Sequence, residues 1–390
     1  MNLYLQHGYG KGQKIQTLSA AGALRGVILS PGDEDAATLS RTAIEAKELG
    51  LRVCVDPQTY VYSTAPKGVG RKHESHGIQF DDLHWSQAVG AITDQVARVG
   101  RMHDLINPGG LKFAPTVLQA SFDDVWTSTA FQLARTSASE WGKEQTIATL
   151  AIEDTALDTW RQVDEWLDVA TTLEVRGFYI LVGRKDTSYP PAAWSTERLA
   201  NLLRMIYVLS ELNEYEVCWG YADGEGIAGI AAGASAIASG WNYSLRQFKP
   251  SKWQPTDRKG GAAPNSRFYL SRLWSPVLAT AEADNLYASD LRESVFSPAD
   301  QAFLATRPLE DMGVLDSQLQ YLQSLSRQGS KVAAIDGVAG RLDAVQGAID
   351  AALNLFSQIG QEGIPLAPRY EGRVRSLSTA IELFREAESL

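Results

Sequence analysis

The chain has 390 residues, of which 44% are hydrophobic and 21% charged, so it can bury a core of normal size in one large domain with an appendage or in two domains. Its formal net charge of −10 excludes a general polyanion-binding surface but not a local basic patch. The two cysteines, Cys54 and Cys218, lie in apolar runs without a Cys-x-x-Cys spacing, which argues against a disulfide framework or a cysteine zinc site.

The first residues lack the basic and apolar regions of a signal peptide. No apolar run approaches the roughly 20 residues that a membrane span needs. We therefore expect a cytoplasmic protein that does not associate with a membrane and keeps two free thiols.

Strand-like apolar runs alternate with helical patterns from the N-terminus to about residue 240. The predicted strands are 3–6, 26–30, 52–56, 113–121, 146–152, 177–182, 217–219 and 234–238. The predicted helices between them are 13–24, 35–49, 83–106, 123–141, 158–173, 196–212 and 227–232.

Eight strand–helix units in about 240 residues predict an α/β fold, the (β/α)8 TIM barrel. The alternative is an open doubly wound sheet, because periodicity does not report closure. We assign residues 1–275 to the barrel, including a basic loop at 243–275. Helical spacing returns at 311–326, 337–359 and 370–389, so residues 276–390 are expected to form a C-terminal helical appendage on the barrel or on a second subunit of a homo-oligomer.

Carboxylates follow at least four of the eight predicted strands. In a TIM barrel the carboxyl ends of the strands form one mouth, where the chemistry of these enzymes collects. Acids gathered in a cleft shift one another's pKa, which suits acid–base catalysis. Each acid alone is better explained as a helix cap or a turn residue. Their convergence predicts a site, and the acids predicted to be catalytic are Asp56, Asp123, Glu153 and Asp223.

Other chemistries have weaker sequence signals. The chain has no His-x-His or His-Glu-x-x-His spacing, so we predict neither a metal nor a cofactor. A Gly-x-Ser-x-Gly nucleophile motif is also missing. The glycine-rich turn at residues 7–14 resembles a phosphate cradle with Lys11 and Lys14 nearby, but it lacks the Walker spacing, and a tight surface turn explains it about as well.

The segment 243–275 carries seven basic residues against one acidic residue, with six aromatic residues interleaved. Because cations follow phosphates and aromatic rings stack on bases, this composition predicts binding of RNA or DNA. The alternative is a loop packed on the appendage with its aromatic residues buried. Together with the strand ends, the residues predicted to bind substrate are His7, Gln119, Arg184, Tyr221, Trp241, Arg246, Trp253, Arg258 and Lys259.

Residues 110–246 resemble the barrel of the tRNA-guanine transglycosylases. The stretch 119–124 (QASFDD) is similar to that family's base-recognising Ala-Phe-Asp stretch, and residues 221–241 resemble its late glycine-rich loop, helix and strand. The resemblance implies exchange of a guanine in nucleic acid through a covalent aspartate intermediate, with Asp123 binding the base. The chain departs from the family in two ways: Ser239-Gly240-Trp241 stands where the nucleophilic aspartate follows the eighth strand, and the cysteine-rich zinc site is missing.

We therefore expect a barrel enzyme that acts on an anionic substrate, and nucleic acid or a nucleotide is the leading candidate. Its carboxylates would carry out glycosidic-bond or base-exchange chemistry. The first alternative is a lyase or hydrolase of a small phosphorylated or sugar substrate. A closed acidic mouth with the basic loops folded away would favour this alternative. The second alternative is an inactive barrel used as an interaction scaffold. Carboxylates that are each paired with an arginine would favour this alternative.

Overall fold

The computed structural model describes residues 2–63, 70–78, 89–122, 125–185, 188–253 and 265–390. Through residue 239 strands and helices alternate, as the sequence predicts. In chain order these elements are β1 (Leu3–Gln6), α1 (Lys14–Ala20), β2 (Gly26–Leu29), α2 (Ala36–Glu48), β3 (Arg52–Val55), α3 (Gly70–Ser75), α4 (Val89–Ile106), β4 (Lys112–Phe113), β5 (Leu118–Gln119), α5 (Val125–Trp141), β6 (Thr146–Glu153), α6 (Trp160–Ala170), β7 (Gly177–Gly183), α7 (Thr196–Tyr207), β8 (Glu216–Trp219), α8 (Gly226–Ala231) and β9 (Ala236–Ser239).

The strands form one parallel sheet in the order β3-β2-β1-β9-β8-β7-β6-β4, with β5 also paired to β6. The first strand pairs with the second on one side and with the last on the other, with Leu5 opposite Val27 and Ser239. This order brings β3 and β4, the two ends of the path, next to each other, as in an eight-stranded barrel. The predicted α/β TIM-barrel fold is therefore confirmed, as a nearly closed barrel.

The seam between β3 and β4 is held by side chains. In the described part of the chain no β-ladder joins these two strands. The hydroxyl of Thr59 donates to the Thr116 carbonyl at 2.9 Å and accepts from the Thr116 N–H at 2.9 Å. Nearby, the Asn107 amide donates to the Val53 carbonyl at 2.6 Å. These bonds satisfy backbone groups that the missing ladder leaves open.

The fourth strand is shorter than predicted. The sequence predicts one strand at 113–121, but the structure has two strands of two residues each, β4 and β5. Pro115 lies between them and has no N–H to donate to a ladder. The strand therefore breaks there, and the apolar run alone does not reveal the break.

The barrel interior is filled by side chains rather than open. The Tyr179 hydroxyl on β7 donates to Gln6 Oε1 on β1 at 2.9 Å, across the barrel. The ring of Phe113 lies 4.6 Å from that of Tyr179. Gly220 follows β8, and a Cβ there would lie 2.4 Å from the Tyr179 ring, so only glycine fits. The centre of the barrel is thus a packed layer under the mouth.

The segment after the barrel contains an antiparallel hairpin that sequence periodicity does not predict. Its strands are β10 (Arg267–Leu270) and β11 (Ser275–Leu278), with Tyr269 opposite Pro276. The 243–275 segment is therefore more than a loop. It begins as irregular chain over the mouth, and after residues 254–264, which lie outside the described ranges, it ends with β10 and the turn of this hairpin.

The remaining chain is helical, as predicted. The helices are α9 (Asp284–Tyr287), α10 (Arg292–Val295), α11 (Pro298–Leu304), α12 (Val314–Ala333), α13 (Val338–Gln361) and α14 (Arg369–Glu388). Helix α14 packs along α7, where Arg204 Nε lies 2.7 Å from Glu388 Oε1 and the rings of Tyr207 and Phe384 are 5.8 Å apart. The appendage therefore packs on the barrel of its own chain. Among the described residues, no helix has both the length and the apolar character for a membrane span.

Candidate functional site at the barrel mouth

Asp56 lies at the centre of the mouth, directly after β3, and its side chain is completely buried. Its Oδ2 accepts a hydrogen bond from the Tyr60 hydroxyl at 2.7 Å, and its Oδ1 accepts from the Gln58 N–H at 3.0 Å. Burial raises the pKa of the Asp56 carboxyl to about 7, although these hydrogen bonds act in the opposite direction. Asp56 is therefore able to hold or release a proton near neutral pH.

An aromatic layer covers Asp56. The Phe248 ring lies 5.0 Å from the Tyr60 ring and 5.6 Å from the Tyr221 ring. The Trp253 ring lies 5.8 Å from both Tyr60 and Phe248, and only 7% of Trp253 is exposed. The Arg184 N–H donates to the Phe248 carbonyl at 3.1 Å, which ties the covering segment to the end of β7. In this arrangement Trp253 and Tyr221, both predicted to bind substrate, are part of the packed layer.

His7 lies next to this layer, at the end of β1, with 1% of its surface exposed. Its Nε2 is 3.6 Å from Glu34 Oε2, and its ring packs edge-on against Trp241 at 5.7 Å. Neither ring nitrogen has a hydrogen-bond partner among the described residues. Burial lowers the pKa of His7 to about 3, and the nearby positive charges of Lys11 and Lys252 lower it further. The imidazole is therefore neutral, with a free donor and a free acceptor.

Asp223 and Glu225, after β8, are bound to the appendage. Arg373 of α14 donates from Nη2 to Asp223 Oδ2 at 2.9 Å and to Glu225 Oε1 at 2.6 Å. Asp223 Oδ1 accepts from the Tyr321 hydroxyl of α12 at 2.7 Å. All of these groups are buried. This cluster gives Asp223 a structural role that sequence reasoning missed, and its predicted catalytic role stays a prediction.

Arg246 and Trp241, predicted to bind substrate, are also buried. Arg246 Nε donates to the Gly240 carbonyl at 2.9 Å, and its guanidinium lies 3.5 Å from the centre of the Tyr321 ring. The Trp241 indole N–H donates to the Tyr9 carbonyl at 3.2 Å. Both side chains therefore support the chain that crosses the mouth and do not face solvent.

The other predicted residues within the described ranges surround this centre. Glu153, the last residue of β6, is half-buried, and Gln119, the last of β5, is buried with its Nε2 unpartnered in the described structure. Arg184 donates to the Ala192 carbonyl at 2.7 Å and stacks over Trp194 at 4.5 Å. Three predicted residues lie outside the described ranges: Asp123, Arg258 and Lys259.

Tyr9 is an exposed aromatic residue in the glycine-rich turn after β1, which ends at the mouth. It is 79% exposed and lies between Gly8 and Gly10. Lys14 Nζ donates to the Gly10 carbonyl at 2.7 Å and lies 5.4 Å from the Trp241 ring centre. The lysines of this turn predict a phosphate cradle, whereas the exposed ring is indicated by a tyrosine flanked by two glycines.

Among the residues that the structure describes, no three His, Cys, Asp or Glu side chains are grouped closely enough to hold a metal ion. Cys54 is buried and burial raises the pKa of its thiol to about 12, which disfavours the reactive thiolate.

No protein-family model matches the chain, and no curated protein matches it in sequence. The resemblance to the tRNA-guanine transglycosylases therefore stays a prediction. The class that the fold defines is a TIM-barrel-like protein, and its function has to be argued from the mouth itself.

Proposed function

We propose that the chain is a barrel enzyme that cleaves or exchanges a glycosidic bond in a small anionic substrate of nucleotide size, with Asp56 as the general acid–base. The observation that carries this proposal is the Asp56 carboxyl, buried at the centre of the mouth without an ion-pair partner among the described residues. Elsewhere at the mouth, Asp223 and Glu225 are both paired with Arg373. An acid kept apart from such pairing is suited to proton transfer.

Hydrolysis of a glycosidic bond requires a proton donor for the leaving group and a carboxylate that accepts a proton from the attacking water. Cleavage of a nucleoside monophosphate by water would give the free base and ribose 5-phosphate, and the base leaves as a neutral molecule only if it takes up a proton. With a pKa of about 7, Asp56 is able to give its proton to the leaving base, and the carboxylate that results then takes a proton from the attacking water, which restores the acid. Tyr60 supports either state, because a hydroxyl both donates and accepts.

The surroundings of His7 support an anionic, ring-containing substrate. Lys11 and Lys252 place positive charge near His7, and its unpartnered nitrogens are free to bind polar groups of a ligand. Exposed Tyr9 offers a face on which a base or sugar ring can stack. Asp33 and Glu34 partly offset the two lysines, since Asp33 Oδ2 lies 3.8 Å from Lys252 Nζ. With two lysines against two carboxylates, these surroundings do not suit a chain of phosphates.

A small substrate is favoured over RNA or DNA because several of the basic and aromatic side chains in the described part of the 243–275 segment turn inward. Arg246, Phe248 and Trp253 are buried, so they present no surface to a strand. Binding of a strand depends on Arg258 and Lys259, outside the described ranges, and stays a prediction from the sequence. A homo-oligomer formed through the appendage also stays a prediction, and so does a cytoplasmic location. The cytoplasmic location is supported by two cysteines that form no disulfide.

The test is release of a base. The protein is incubated with nucleoside monophosphates and with the matching nucleosides, and free base is measured by chromatography. We expect turnover of the phosphorylated compounds, and we expect Asp56→Asn to lower it by about a hundredfold or more. Asp154→Asn is the matched control, because Asp154 also follows a barrel strand but is paired with Arg198 at 3.0 Å; it should retain activity.

Two results would contradict the proposal. One is turnover that Asp56→Asn leaves unchanged in a protein that still melts cooperatively. The other is the absence of base release from every compound together with an unchanged melting temperature in their presence, since a bound ligand stabilises the folded state. The second result would favour the scaffold.

A further inference from the structure

A cavity of about 800 Å³ lies between the appendage and the barrel, and its described lining shares no residue with the cluster around Asp56. It is bounded by helices α12 and α13, by the turn of the β10–β11 hairpin and by Ile227 of α8. Its volume falls within the range of about 300–1,000 Å³ that is typical of small-molecule sites. The proposed barrel chemistry makes no use of it.

The floor of the cavity is apolar. Trp274 lies at the hairpin turn, and Val332 and Val345 contribute from the two helices. On α13 the positions that face the cavity include Ala344 and Ala348, whose small side chains keep the space open. A flat or elongated apolar group fits such a floor, because it buries surface that water otherwise covers.

The charge of the lining is opposite to that of the chain. Although the chain has 46 acidic residues and a net charge of −10, none of the described residues that line this cavity is acidic, whereas Arg272 and Lys331 are basic. Arg272 already donates to the carbonyls of Glu293 and Ser294, at 2.6 and 3.1 Å. Lys331 is exposed and has no ion-pair partner among the described residues, so its ammonium group is free to meet an anion.

A buried hydrogen-bond acceptor in the lining, on Gln328, is the second polar group that a ligand could contact. Gln328 lines the cavity and donates from Nε2 to the Ser271 carbonyl at 3.0 Å, which fixes the orientation of its amide. Its Oε1 is buried and has no donor in the described structure. A buried acceptor without a donor costs free energy, and a ligand with an N–H or O–H group would supply the donor.

We propose that this cavity binds an amphipathic organic anion: an apolar body lies on Trp274 and the small residues of α13, the anionic group pairs with Lys331, and an N–H or O–H group donates to Gln328. The proposal is independent of the chemistry at the mouth.

The probe is 8-anilinonaphthalene-1-sulfonate, which has an aromatic body, a sulfonate and one N–H, and its fluorescence is titrated against the full chain. N-phenyl-1-naphthylamine is the matched neutral ligand, because it lacks only the sulfonate. We expect saturable binding of the sulfonate at one site, and we expect Lys331→Gln to weaken it about fivefold or more while binding of the neutral ligand stays the same. Lys143→Gln, at an exposed lysine away from the cavity, should change neither.

A second variant tests whether the ligands occupy the volume of the cavity, rather than whether they pair with Lys331. Ala348→Leu fills the cavity from an exposed helix position, so it should weaken both ligands about tenfold or more. Ala339→Leu, on the same helix but outside the lining, is its control. Equal binding of both ligands by the wild type, Lys331→Gln and Ala348→Leu would overturn the proposal. So would a dimer in sedimentation that Ala348→Leu dissociates, because a second copy would then occupy the cavity.

Discussion

Arg373 Nη2 lies 2.6 Å from Glu225 Oε1, although the two residues are separated by 148 positions in the chain. The contact joins helix α14 to the loop after β8 and is almost completely removed from solvent. Because Arg373 also binds Asp223, one side chain pairs with two carboxylates at the mouth. The appendage is in this way part of the electrostatic structure of the barrel.

We expect Arg373→Met to lower the free energy of unfolding by about 3–5 kcal/mol, because it leaves two buried carboxylates without a cation. Chemical denaturation followed by circular dichroism measures the change. The matched control is Arg375→Met, since Arg375 pairs with Glu371 on the exposed side of the same helix and should cost about 1 kcal/mol or less. Equal losses in the two variants would show that Arg373 does not hold the appendage.

Asp56→Asn should change how stability depends on pH. The folded-state pKa of Asp56 is raised to about 7, whereas an unfolded aspartate titrates near 3.8, so the folded state binds the extra proton between these values. The wild type therefore loses stability as pH rises from about 4 to about 7, and the Asn variant lacks this loss. Denaturation of both proteins at pH 5 and pH 8 should show the variant gaining relative stability at pH 8. A difference that is the same at both pH values would contradict the raised pKa.

Trp253→Ala should destabilise the fold, since Trp253 is buried against Tyr60 and Phe248. Removing a buried tryptophan side chain costs about 3–5 kcal/mol. Tyr9→Ala, at an exposed ring, should change the free energy of unfolding little but raise the KM for a nucleotide. If Trp253→Ala instead keeps its full melting temperature and loses affinity for a labelled RNA strand, the base-stacking prediction from the sequence would be restored.

Thr59→Val should open the seam between β3 and β4. The substitution keeps the shape but removes the hydroxyl that serves both the N–H and the carbonyl of Thr116, and an unsatisfied buried backbone group costs about 1–3 kcal/mol. Thr59→Ser keeps the hydroxyl and should recover most of the loss. Amide hydrogen exchange is the sharper measurement: Thr116 should exchange faster in the Val variant. Exchange at the wild-type rate would mean that another group replaces the hydroxyl.

The barrel was predictable from the sequence because its strands are buried on both faces and appear as unbroken apolar runs. Gly177–Gly183 is one such run, and every residue in it is buried. Local chemistry set the limits of this prediction: Pro115 divides the fourth strand, and the β10–β11 hairpin follows a stretch whose prolines and glycines conceal its strands. Periodicity reports which residues are buried, but it does not report which strands pair.

The composition of the site was partly predictable, but its pairing was not. Asp56 was predicted to lie at the mouth because acids at strand ends meet at one mouth of a barrel, and its catalytic role stays a prediction. The Arg373 contact depends on how a distant helix packs, which no spacing within the loop after β8 encodes. The seven basic residues of 243–275 predicted a surface for a polyanion, but Arg246 shows that a cation in such a segment also serves as an internal support, stacked on Tyr321.

The hydrogen bond from the Arg184 N–H to the Phe248 carbonyl has a consequence for ligand entry. The chain that leaves β9 passes over the end of β8 to reach β7, and Phe248 and Trp253 rest on the side chains around Asp56. A molecule that approaches Asp56 from this side has to displace Phe248 before it touches the carboxyl. The binding free energy of such a molecule is therefore its contact energy minus the energy of that displacement. A variant that weakens the packing of the segment carrying Phe248 and Trp253 should therefore bind the molecule more tightly than the wild type.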